Sequence, residues 1–205
     1  MSNDDFDSFL SIVKASTFKY KIERSTFISS AKHVSNPEEA KRFVLKVSTE
    51  FKDATHNCWA YRIGEKELFS DNGEPSGTAG VQILNAMKSS NIDRAVIVVT
   101  RYFGGIKLGI RGLIDAYAHA AKLVIENCEK DIFLIGKVVE VQCEYHDFER
   151  LKYFFNRRGY FYLTPPKFEE KIKMKLFLPL GEKIEMDHLE IKKLEIEQKN
   201  LLMIS

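Results

Sequence analysis

Two glycine-rich stretches hold most of the residues in this chain that are able to do chemistry. The first, Ser70-Asp71-Asn72-Gly73-Glu74-Pro75-Ser76-Gly77-Thr78-Ala79-Gly80, places two carboxylates three positions apart. In a turn, carboxylates at that spacing can share a divalent cation or act as an acid and base pair, so Asp71 and Glu74 are the candidate catalytic residues. The competing reading is turn chemistry, in which Asp71-Asn72-Gly73 bends the chain, Pro75 stiffens it and Thr78 caps the next helix. The second stretch, Thr100-Arg101-Tyr102-Phe103-Gly104-Gly105-Ile106-Lys107-Leu108-Gly109, with Arg111 just beyond, reads as an anion site. Arg101, Lys107 and Arg111 can converge on a phosphate together with the free amides of a helix starting near Gly112, while Gly104 and Gly105 let the backbone approach. Tyr102 and Phe103 would stack on an exposed base or fill a partner's pocket. Core aromatics and solvated cations account for the same residues equally well.

More familiar reaction signatures fail in detail. Gly73-Glu74-Pro75-Ser76-Gly77 has its serine one place late for a nucleophile elbow, and Gly104 to Gly109 is followed by Ile110-Arg111 where a phosphate loop needs Lys-Ser/Thr. His56-x-Cys58 puts two metal-capable side chains on one strand face without a recognisable partner pair, so they are metal candidates only in name. No catalytic set, metal or cofactor is therefore expected, and an enzyme is the less favoured reading.

The 205 residues carry 31 Lys plus Arg against 29 Asp plus Glu, which excludes a basic footprint over whole domains but leaves room for a local patch. Three scattered cysteines do not make a disulfide framework. The acidic start lacks the basic and apolar regions of a signal peptide and no run reaches membrane-spanning length, so a soluble cytoplasmic protein is expected.

The positioning elements follow from periodicity. Residues 1–16 read as a lead-in or one short helix. Phe18, Tyr20 and Ile22 alternate with Lys19 and Lys21, predicting a hairpin with a strand through Phe27-Ile28. Asn36-Pro37-Glu38-Glu39 starts a helix burying Ala40, Phe43, Val44, Val47 and Phe51. A strand over His56 to Gly64 and a short partner to Ser70 lead into the first loop, and a helix runs from Thr78. Ala95-Val96-Ile97-Val98-Val99 predicts a strand buried on both faces, followed by a helix over Leu113 to Cys128. This makes an α+β domain with its helices on one side, residues 1–133, and a second domain over 134–205. In the second, a helix follows Asp147, a long one-sided strand runs from Phe168 to Leu178, and a second helix lies between Glu182 and Lys192, in a ferredoxin-like βαββαβ order. Lys152, Arg157 and Arg158, or Lys171, Lys173 and Lys175, could add RNA contacts there, although a protective charged strand face explains the lysines better.

The run SDNGEPSGTAG, then TRYFGGIKLG, with HNCWAYRIG upstream, resembles the IMPACT/YigZ family over roughly residues 17 to 130. The resemblance implies an IMPACT amino-terminal domain, with the fold of the second domain of a small-subunit ribosomal protein and of a domain of elongation factor G, followed by a small carboxy-terminal domain. It also implies a non-enzymatic role near translation. Eukaryotic relatives bind a large ribosome-associated activator through an additional amino-terminal domain for which this sequence has no room. The expected function is a translation-regulating binding module for RNA or the translation machinery, with a possible protein partner in translation control. The alternative is a hydrolase or small-anion sensor in which Asp71 and Glu74 face Arg101 and Lys107, and a third is a protein-interaction domain alone. Both of the first two need the acidic and basic turns to oppose each other across an open hollow. The chain departs from the family at Arg111, where Gly-Gly-Leu is usual, at Asp115, where an arginine is common, and at Gln82, where a proline follows the Gly-Thr-Ala-Gly turn.

Overall fold

The β-branched run at Ala95 occupies the middle strand of an antiparallel sheet, and every residue from Ala95 to Thr100 is buried. The computed structural model describes residues 7–180, 184, 190–193 and 198–199, and the chain divides into one compact unit over Phe9–Asp131 and a second formed by the remainder. The elements of the first are β1 (Asp7–Ile12), β2 (Ser16–Ile22), β3 (Ser25–His33), α1 (Pro37–Glu50), β4 (His56–Ile63), β5 (Lys66–Ser70), α2 (Gly80–Ser89), β6 (Ala95–Tyr102) and α3 (Gly109–Asn127). The sheet order is β2-β3-β6-β4-β5, with Thr26 opposite Tyr102 and His56 opposite Arg101. That register delivers the end of β6 and the start of β4 to the same rim.

Local chemistry fixes the elements. The Asn36 side chain accepts the Glu39 amide at 2.9 Å, Glu39 accepts the Ser35 amide at 2.9 Å, and Pro37 opens α1 without a donor to lose. Ala116, Ala120 and Ala121 are buried and let α3 lie close to the sheet, where the Ser29 hydroxyl donates to the Ala120 carbonyl at 2.9 Å.

Several expectations are corrected. The helices do not share one side: α2 and α3 bury Ile83, Met87, Leu113 and Tyr117 against Ala31, Cys58, Ala60, Ile97 and Val99, whereas α1 packs on the opposite face against Tyr61, Ile63 and Val96. A central strand apolar on both faces needs a cover on each. The lead-in contains strand β1, whose Leu10 carbonyl accepts the Asp93 amide at 2.9 Å. Its polar and apolar residues lack the helical spacing because the segment is extended.

In the second unit the elements are β7 (Lys130–Cys143), α4 (Phe148–Arg157), β8 (Phe161–Tyr162), β9 (Lys167–Phe168), β10 (Ile172–Pro179), β11 (Glu190–Lys193) and β12 (Gln198–Lys199). Strands β11, β7, β10 and β8 are neighbours in that order, each pair antiparallel, and Leu151 and Phe155 of α4 bury against Val139, Val141, Met174 and Leu176. The single strand expected from Phe168 is two, because Phe168 folds back opposite Ile172. The helix expected between Glu182 and Lys192 lies mostly outside the described residues, and its last three residues, 190–192, are strand paired with β7. Among the described residues, no helix is long and apolar enough to cross a membrane.

Candidate functional site

The acidic turn and the basic turn do meet, through a closed ion pair and not across a hollow. Arg101 at the end of β6 donates from Nη1 to Glu74 Oε1 at 2.7 Å, with side chains only 6% and 3% exposed. The same oxygen accepts the Tyr117 hydroxyl from α3 at 2.9 Å. His56 of β4 brings Nε2 to 4.0 Å from Glu74 Oε2, while its Nδ1 lies 2.9 Å from the Asn72 carbonyl, an acceptor, so Nδ1 carries the proton. The Cys58 thiol donates to the Asp71 carbonyl at 2.9 Å and its sulfur sits 3.4 Å from the Tyr117 oxygen. Burial pushes the Cys58 thiol up to about 12, and burial together with Cys58 and Glu74 pushes the Tyr117 phenol far above its ordinary value. Both groups therefore stay protonated, and Tyr117 serves as a donor. Arg101 Nε is buried without a protein acceptor, and its guanidinium lies 5.7 Å from the Phe27 ring centroid and 5.5 Å from that of Phe103.

Asp71 is spent elsewhere. Its carboxylate accepts the amides of Gly77 at 2.8 Å, Ala79 at 3.0 Å and Gly80 at 2.7 Å. The amides of Ala79, the N-cap, and Gly80, the first helical residue, are donors that the start of α2 leaves without intrahelical partners. Asp71, not Thr78, thus caps α2, and Thr78 turns its hydroxyl to the Pro75 carbonyl at 2.7 Å. The cap removes α2 as an anion site. It also separates Asp71 from Glu74, whose oxygens face Arg101, Tyr117 and His56, so the two carboxylates do not form a shared catalytic or metal pair. His56 and Cys58 each face a backbone carbonyl of the first loop, and among the described residues no three His, Cys, Asp or Glu side chains cluster as metal ligands.

The remaining candidates lie at the surface. Tyr102 is half-buried with its hydroxyl on Asp53 at 3.0 Å, and Phe103 is 44% exposed. A Cβ on Gly104 would lie 1.9 Å from the Arg24 carbonyl oxygen, so the loop rests on the β2–β3 turn in a way only glycine permits. Gly105 has φ +86°. Lys107 is exposed, and Ile106 and Ile110 present apolar side chains beside it. Helix α3 begins at Gly109, earlier than expected, which puts Arg111 in its first turn with an exposed 3.2 Å contact to Asp115. Sequence reasoning missed Tyr117 and Ser25, which lies 3.4 Å from Arg101 Nη2. A tyrosine in an otherwise Ala-rich buried stripe was the available signal, because a buried phenol needs a hydrogen-bond partner.

Residues 23–125 match the Impact N-terminal domain. The chain belongs to the IMPACT family. It is 46% identical over 113 residues to the IMPACT family member YvyE of Bacillus subtilis, covering 54% of this chain and 52% of that relative. It is 37% identical over 131 residues to the IMPACT family member YigZ of Escherichia coli, covering 62% of this chain and 64% of that one. The matches thus span from about half to under two thirds of these two IMPACT relatives. A solved crystal structure of a hypothetical protein shares the arrangement with a TM-score of 0.62 at 30% identity, over 84% of this chain and 85% of that chain. The IMPACT match covers the ion pair, the Asp71 cap and the basic loop, all of which fall inside residues 23–125.

Proposed function

We propose that this IMPACT family chain is a non-enzymatic, cytoplasmic binding module for single-stranded RNA in translation control, with the loop from Tyr102 to Arg111 as its contact surface. One observation supports this above the rest. The carboxylates of the first turn are engaged inside the fold, by Arg101, Tyr117 and backbone amides, while Phe103, Ile106, Lys107, Ile110 and Arg111 stay outside as an aromatic, apolar and cationic patch. Exposed aromatics next to cations suit bases and phosphates together. Arg101 becomes a positioning residue beneath Phe103, replacing its expected role as a direct phosphate contact. The role near translation follows from the family resemblance. The order β11-β7-β10-β8 with all pairs antiparallel supports a ferredoxin-like reading of residues 134–205, beside an IMPACT domain of ribosomal-protein type over residues 1–133.

A hydrolase built on Asp71 and Glu74 has less support, because Asp71 is taken up by backbone amides and Glu74 Oε1 by Arg101 and Tyr117. The test is fluorescence anisotropy with a labelled oligouridylate. Phe103→Ala should weaken binding by about 1–3 kcal/mol through lost stacking, and Lys107→Ala should lower the salt slope by about 0.7. Unchanged affinity in the double variant removes the proposal.

A further inference from the structure

We infer that the face of the first sheet left open by α1 carries a phosphate track for single-stranded RNA, in which Lys32, Arg42 and Lys46 at one end join Lys19 and Lys21 along β2 and lead to the Phe103 loop. The inference rests on the RNA-binding reading above and deepens it by giving the path of the strand.

Cross-strand partners share a face of a sheet, so the register sorts the side chains. Thr17 pairs with Ser30, Lys19 with Ile28 and Lys21 with Thr26, and the Thr17 and Ser30 hydroxyls lie 3.3 Å apart. Phe18, Tyr20, Phe27 and Ala31 turn the other way, into the core beneath α3. Lys32 pairs with Val96, which lies under α1. The lysines therefore occupy the α1 side of the sheet. Helix α1 packs over β4 and β6, and Lys19, Lys21 and Lys32 are exposed on the part it leaves open.

At one end of this face Ala15, Lys32, Glu39, Arg42, Phe43 and Lys46 line a groove of about 440 Å³. Arg42 and Lys46 are four residues apart on α1 and so project from one side of it. The groove's carboxylate is engaged, since Glu39 accepts the Ser35 amide at 2.9 Å and the Asn36 side-chain amide at 3.4 Å. Among the described residues, Lys19, Lys21, Lys32, Arg42 and Lys46 form no ion pair. At the other end the β2–β3 turn touches the basic loop, where Gly104 lies on the Arg24 backbone. Residues 15 to 24 span about 30 Å of extended chain. Cations and hydroxyls line this path; at its far end Tyr102, opposite Thr26, lies on the same face, and the exposed Phe103 stands at the rim over Arg101, which is on the α2 and α3 side. That division suits a sugar-phosphate backbone along the strands and stacked bases at the loop, and the aromatic terminus favours nucleic acid over an acidic peptide.

The test uses the full chain and oligouridylates of about four and about twelve nucleotides, within the range of single-strand site sizes. The variants are Arg42→Glu/Lys46→Glu and, on a different element, Lys19→Ala/Lys21→Ala, each checked for an unchanged melt. Both should weaken the longer oligonucleotide about tenfold at low salt and lower its salt slope by about 0.7 for each phosphate left without its cation. The shorter one, held at the loop, should bind as before. If neither variant affects the longer oligonucleotide while Phe103→Ala does, the track is wrong and the loop reading stands. If the cation variants weaken it and Phe103→Ala/Lys107→Ala does not, the track stands and the loop reading falls. Equal competition by polyglutamate overturns the assignment to RNA, and no binding of either oligonucleotide overturns both proposals.

Discussion

Glu74 and Arg101 illustrate how far residue chemistry alone reaches. Both are conspicuous in the sequence, yet their pairing across 27 positions depends on β6 ending where the first loop crosses it. A buried charge that loses its partner is left uncompensated, so Arg101→Ala or Glu74→Ala should each destabilise the protein by about 3–5 kcal/mol. Tyr117→Phe should cost about 1–3 kcal/mol, because it removes one donor and leaves the ion pair intact. Urea titration of the three variants checks the ranking, and a Tyr117→Phe cost equal to that of Arg101→Ala would contradict it. The thiols give a second expectation. Cys58, Cys128 and Cys143 are buried, and burial raises each of them, Cys58 to about 12. A thiol reagent at mildly alkaline pH should label none in the native protein and all three in urea. His33 supplies a pH dependence. Burial lowers its pKa from 6.5, with Arg94 and Lys32 assisting and Glu39 and Asp93 opposing, while Nδ1 sits 3.0 Å from the Ser11 oxygen. Below 6.5 the unfolded chain binds this proton before the folded one does, so stability should fall as pH drops from 6.5 toward the lowered value. His33→Gln should flatten that part of the curve of urea midpoint against pH.

At the scale of elements, sequence periodicity found what local chemistry governs and missed what depends on neighbours. The β2–β3 hairpin, the Asn36 cap, β4, β6 and the apolar stripe of α3 were legible because each rests on alternation, a cap or a helical repeat within its own segment. The position of α1 across the sheet from α2 and α3 was not, since its stripe is equally apolar whichever face it meets. The start of α2 was misplaced for a related reason. Thr78 had the better local credentials as a cap, but Asp71, eight and nine positions before the two helical amides it binds, reaches them through the fold of the loop. Asp71→Ala should therefore cost about 2 kcal/mol, the upper end for a lost cap, with a partial loss in Asp71→Asn. Thr78→Val should be milder, because its hydroxyl serves one carbonyl. Hydrogen exchange in the first turn of α2 would separate the two, and equal acceleration in both variants would undo the assignment of the cap. Gly104→Ala is harsher than either, since a Cβ there collides with backbone of the β2–β3 turn. It should detach the loop and abolish RNA binding without unfolding β6.

For the molecule as a whole, the near-even charge balance masks a local asymmetry, because cations left unpaired on one open face can coexist with a net charge of +2. The division of the cores makes this separable by experiment. The cluster beneath α2 and α3 and the cluster beneath α1 contain residues from within Phe9–Asp131 only, and the clusters built on β7, β10 and α4 contain none of them. A unit of that size with cores on both faces of its sheet has enough buried apolar surface to fold alone. The ion pair, the Asp71 cap, the basic loop and the lysine face all lie inside it. A fragment of residues 7–131 should accordingly unfold in one cooperative urea transition, with an m-value below that of the full chain in proportion to the surface it exposes. It should also bind oligouridylate with the affinity and salt slope of the full chain. A fragment that folds cooperatively but has lost the RNA would move the binding surface to the residues after Asp131. There Lys171 already faces Glu144 at 3.5 Å and Lys173 faces Glu169 at 2.7 Å, so the strand lysines are partly neutralised before any partner arrives.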